Sequence, residues 1–88
     1  MPKYILQKGF VVQKYSKKLV LFDSETSTMY TLNETAAFIF NQLKKGLAKK
    51  EIVQKLCKQY AVSAIKGHKD VTTTIQTLLR MKIFQASG

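Results

Sequence analysis

At Asn33 the chain changes its period. The stretch ahead of it, "TMYTL" (28–32), is rich in β-branched and aromatic residues, the composition of a strand. The stretch behind it places Ala36, Ile39, Phe40 and Leu43 at i, i+3, i+4 and i+7, one apolar face of a helix. Asn33 itself can accept a hydrogen bond from a free amide in the first turn, and Glu34 suits the positive end of the helix dipole. A strand that runs into an amphipathic helix without a linker must belong to a fold in which sheet and helix share one core.

The flanking sequence fills in that fold. "FVVQKY" (10–15) and "LVLFD" (19–23) read as two further strands, joined by the polar turns "SKK" and "SETS". The second is apolar at nearly every position, as a central strand covered on at least one face is. Short connections order the three as an antiparallel meander, with 28–32 at one edge. Lys44 and Lys45 favour the end of the first helix, and Gly46 suits its left-handed stop. A second helix is expected over 48–60, burying Ile52, Val53, Leu56, Cys57 and Tyr60, with Ala48 a poor cap. A third follows over 64–81, capped by Ser63, with Val71, Ile75, Leu78 and Leu79 as its stripe. Gly67 weakens its first half, so Asp70 is an alternative start. Ile83 and Phe84 are expected to fold back onto the core, and residues 1–9 to form a loose lead-in. Phe38 falls off the first helix's stripe. The order βββααα defines one α+β domain over 1–88, with its core at about 10–84.

Catalysis finds little support. The chain has one histidine, His68, and one cysteine, Cys57, in 88 residues. A Cys–His nucleophile needs the two within hydrogen-bonding reach, whereas Cys57 reads as a core residue and His68 as a surface one. Three or four metal ligands at suitable spacing are missing. No glycine-rich phosphate loop is present, and Asp23, Glu25, Glu34, Glu51 and Asp70 form no close pair. No enzyme activity, metal or cofactor is therefore expected.

The charge points to partners instead. Fifteen Lys and Arg stand against five Asp and Glu, a formal net charge of +10. Such an excess favours an acidic partner. Arg80 is the single arginine, which argues against bidentate reading of guanine but not against phosphate binding. No apolar run reaches the length of a membrane span, and a cytoplasmic, non-membrane protein is the expectation.

The remaining feature is the edge strand. Proteins blunt exposed edges with lysine, proline or a bulge, and "TMYTL" carries neither lysine nor proline. An open edge beside an apolar helix can take an extended peptide as an added strand. The bland alternatives are that residues 3–7 cover this edge, or that a second copy pairs with it in a homodimer.

Three segments then resemble the PqqD-like family across about 10–84. They are "LVLFDSETSTMYTLNETAAFIFNQL", "EIVQKLCKQYAV" and "DVTTTIQTLLRMKIF". The step from Tyr30 to Asn33, Ala37-x-Ile39-Phe40, Glu51-Ile52-Val53 and Asp70-Val71 with Leu78 carry the similarity. The resemblance implies a three-stranded sheet on a winged-helix-like trio of helices. It implies non-catalytic recognition of the leader of a ribosomally made precursor peptide, for pyrroloquinoline quinone or another modified product. The leader would be delivered to a modifying enzyme such as a radical S-adenosylmethionine enzyme or another maturase. The implied peptide-binding residues are Thr28, Met29, Tyr30, Thr31 and Leu32 on the strand, and Gly67, Val71, Thr74, Ile75 and Leu78 on the third helix. Val71, Ile75 and Leu78 are equally candidates for the core, and which edge of that helix faces the strand stays open. The lysine excess suggests an acidic leader or an acidic partner enzyme. The competing reading is a winged-helix nucleic-acid-binding protein, with Lys69, Thr72, Thr73, Thr74 and Gln76 reaching DNA.

Overall fold

A computed structural model describes residues 3–87. Three antiparallel strands, β2 (Phe10–Tyr15), β3 (Lys18–Asp23) and β4 (Thr28–Leu32), form a meander in that order. Their register pairs Val11 with Phe22 and Phe22 with Met29, and, two residues on, Gln13 with Val20 and Val20 with Thr31. Because side chains alternate across a pleat, Leu19, Leu21 and Leu32 are buried on the inner face while Phe22 and Met29 stand outside. The central strand is thus covered on one face only.

Three helices follow: α1 (Glu34–Lys44), α2 (Lys49–Tyr60) and α3 (Ala64–Arg80). Their ends obey local chemistry. The Asn33 side chain accepts from the Ala36 amide at 2.9 Å, and Ser63 Oγ accepts from the Lys66 amide at 3.2 Å. Ser63 thereby fixes the start of α3 at residue 64, and the helix runs through Gly67 without a break. Ala48 offers no such bond to α2. Gly46 takes a left-handed φ of 89° after α1, and Ala61 takes one of 52° after α2.

α1 is the hub. It packs on β1 (Lys3–Leu6), β3 and β4, and on both other helices. Ile39, Phe40 and Leu43 meet Ile52 and Leu56 of α2 and Val71, Ile75 and Leu78 of α3 in one cluster. The buried alanine of α1 is Ala37, with Ala36 half-buried, so its inward stripe is turned slightly from the one the spacing suggests. On α2 only Ile52 and Leu56 are fully buried; Val53, Cys57 and Tyr60 are half-buried.

One element departs from the expected lead-in. Residues 3–6 form β1, which pairs antiparallel with β5 (Phe84–Ser87) as a separate two-stranded ribbon, Leu6 opposite Phe84. Ile83 and Phe84 are buried as expected, and the Phe84 ring meets Phe40 edge-to-face at 5.2 Å. Such aromatic pairs add about 0.5–1.5 kcal/mol beyond the area they bury. That burial pins β5, and β5 gives β1 its partner. Residues 1, 2 and 88 lie outside the described residues.

Candidate functional site

β4 bonds to β3 on one side, and no described strand lies on its other side. The segment that could have closed it, β1, is committed to β5. Half of the backbone donors and acceptors of 28–32 therefore face away from the sheet, because alternate residues of an antiparallel strand direct both groups to the same side. Thr28 and Tyr30 are half-buried and Leu32 is buried, whereas Met29 (66% exposed) and Thr31 are on the solvent face.

α3 provides the opposite wall. No Cα of α3 comes within 8 Å of a Cα of β4, although α1 packs against both. The two are walls of a trough joined through α1. At one end the trough opens into a cleft of about 990 Å³, where Tyr30 of β4, Leu79 of α3, Met81 and Phe84 form apolar walls. Lys8, Arg80 and Lys82 stand on its rim, as do Asp23 and Glu25.

The edge of α3 that faces the strand follows from Gly67. A Cβ at that position would lie 2.5 Å from Cys57 Sγ and 3.7 Å from Val53, both on α2. Gly67 thus marks the edge that crosses α2, and its missing side chain serves that close approach rather than the trough. At 100° per residue, Thr74 lies on the same edge, seven residues on. Val71, Ile75 and Leu78 are at most 5% exposed and belong to the core. The far edge carries Thr72 and, seven residues on, Leu79, which shares the cleft with Tyr30. Thr72 Oγ1 is buried without a hydrogen-bond partner, the one such side-chain atom found among the described residues.

The structure therefore brings Tyr30 together with Leu79, a pairing that the sequence pattern does not single out. It leaves Gly67 and Thr74 on the other side of the helix. Leu79 reads in sequence as one more stripe residue. The signal that separates it is the glycine: a Gly inside an amphipathic helix marks the face of closest helix approach, and the groove edge is the other one.

Cys57 and His68 are not hydrogen-bonded to each other. The thiol donates to the Ser63 carbonyl at 3.5 Å, and His68 is exposed. No group of three metal-ligating side chains occurs among the described residues. No helix there is long and apolar enough to cross a membrane.

An antiparallel meander with an open margin, carried on three helices, defines a small α+β domain. The family model described as coenzyme PQQ synthesis protein D (PqqD) matches residues 18–83, and the chain belongs to the PqqD family. Two solved structures share its fold. TbiB1 in complex with the TbiA(beta) leader peptide superposes with a TM-score of 0.83 at 21% identity, covering 92% of this chain and 94% of that one. Lasso peptide synthetase B1 complexed with the leader peptide gives 0.83 at 23% identity, covering 98% and 99%. No curated protein sequence matches significantly.

Proposed function

We propose that this protein binds, without catalysis of its own, the leader segment of a ribosomally made precursor peptide as an added strand along Thr28–Leu32. It presents that precursor to a modifying enzyme. The observation that carries the reading is the open margin of β4, beside a cleft that Tyr30 shares with Leu79 of α3. Family membership supports it, as does the fold shared with two proteins whose structures hold leader peptides. Backbone bonds along 28–32 supply affinity, and side-chain pockets supply choice. The Tyr30–Leu79 cleft is the pocket best placed to take an apolar leader side chain, and the lysine excess suits an acidic leader. Tethering then raises the local concentration of the attached core peptide, to about millimolar for a short flexible link.

The test is amide NMR of the labelled chain titrated with the leader of the precursor encoded beside its gene. Shifts are expected along 28–32 and at Thr72 and Leu79. One of Tyr30 and Thr31 directs its N–H outward, so the proline variant at that position keeps the β3 ladder but loses a docking bond. Its affinity should drop about tenfold, the equivalent of about 1.4 kcal/mol. A folded variant of this kind that binds unchanged moves the site elsewhere. Binding that collapses as salt rises, with shifts confined to the lysine faces, favours nucleic acid instead.

A further inference from the structure

Phe38, which lies off the core stripe of α1, has its own surroundings. Its ring is half-buried and meets Tyr60 of α2 edge-to-face at 5.6 Å and 85°. On one side of this pair is an open hollow of about 490 Å³ between α1 and α2, where Lys45, Lys55 and Lys58 surround Phe38. No carboxylate lines it. On the other side a smaller hollow brings Lys14 and Lys17, from the β2–β3 hairpin, to the same two rings, with Glu34 as its only acid. Lys66–Asp70 is the one ion pair among the described residues, so none of these five lysines is neutralised by a salt bridge; Glu51, one turn before Lys55, makes none. This face joins α1 and α2 to the hairpin at the sheet margin opposite β4.

We propose that the α1–α2 face is a second docking surface, for an acidic protein surface that sets one apolar side chain on Phe38 among the lysines. Charge complementarity selects the sign of the partner: five lysines meet one carboxylate around a single aromatic centre. The rings select its kind. A stacking platform for nucleic-acid bases needs open ring faces, and Phe38 and Tyr60 are packed edge against face. Lysine ammonium groups on flexible stems adapt to scattered carboxylates without demanding fork geometry. The modifying enzyme is the natural bearer of such a surface, and in that identification alone the inference rests on the proposed function. The face itself does not depend on strand addition, and with the leader on β4 both partners could be held at once.

The test uses the full chain, 15N-labelled, and two probes. One is a synthetic helical peptide presenting glutamates on successive turns with one leucine on the same face; the other is a twelve-nucleotide oligothymidylate. The peptide should shift the amides of Phe38, Gln42, Lys55 and Gln59 and leave 28–32 unmoved. Reversing Lys45, Lys55 and Lys58 to glutamate should weaken it about tenfold or more. Reversing Lys50, Lys69 and Lys82, an equal change in net charge, should weaken it less than about threefold. All six are exposed, so both variants should keep the fold, with far-UV circular dichroism as the check. Equal weakening by the two triple variants overturns the proposal, as does shift mapping spread over all lysine faces. Tighter binding of the oligonucleotide in the same hollow overturns it too, in favour of nucleic acid. Loss of peptide affinity in Phe38→Ala supports the aromatic centre, and failure of the leader titration leaves this result standing.

Discussion

Gly67 shows how much one residue decides. With a Cβ only 2.5 Å from Cys57 Sγ, Gly67→Ala must push the thiol off its bond to the Ser63 carbonyl or spread the two helices. Overpacking of this kind costs about 1–3 kcal/mol, while alanine in a helix interior gains about 1 kcal/mol over glycine. Gly67→Ala alone should therefore be neutral or destabilising, and in a Cys57→Ala background it should stabilise by up to about 1 kcal/mol. Urea denaturation of the four-member cycle checks this, and additive effects would contradict the close approach. Tyr60 gives a pH-dependent counterpart. Burial, and then the nearby Glu34 carboxylate, raise its pKa above the usual value of about 10. Raised in the folded state, it releases its proton first from the unfolded chain, so its contribution is whole below pH 10 and is lost as pH climbs beyond. Tyr60→Phe should lose less stability than the parent between about pH 9 and 11, measured by thermal unfolding across that range. Parallel curves would sink the assignment.

Most elements were legible because their signals are local. Asn33 and Ser63 cap where their side chains can reach a free amide, Gly46 stops α1, and Ala48 leaves α2 uncapped, all readable from residue types a few positions apart. The β1–β5 ribbon was not legible. Each strand has four residues, too few to display a period of two, and the pairing joins the two ends of the chain, where no neighbour in sequence announces it. The helix edge facing β4 was hidden for a similar reason: periodicity gives the buried centre of α3 at Val71, Ile75 and Leu78, but its two flanks are distinguished only by what packs beside them. Ala61 carries a further consequence. Its left-handed φ of 52° and ψ of 39° at the end of α2 cost an L-residue about 1–2 kcal/mol. Ala61→Gly removes that strain and returns part of it to the unfolded chain as entropy, for a net gain of about 0.5–1 kcal/mol. Chemical denaturation measures it, and a loss would mean that the turn is held otherwise.

Across the whole molecule, the proposed site is made by what the fold leaves unpaired. Burial of Phe84 against Phe40 draws β1 to β5 and away from β4. α1 then holds β4 and α3 apart, and the outward backbone of 28–32 remains available to an extended chain. That 28–32 is an edge strand could be read from the order of the meander; the cleft that Tyr30 shares with Leu79 could not, since it depends on helix placement. Amide hydrogen exchange along Thr28–Leu32, with and without the leader, reaches the central claim most directly. In the free protein one alternating set of amides, bonded to β3, should exchange slowly and the other set fast; added leader should slow the fast set and leave the rest of the sheet as it was. Slow exchange at every one of these amides in the free protein, or a fast set that stays fast while the leader binds, would contradict the account.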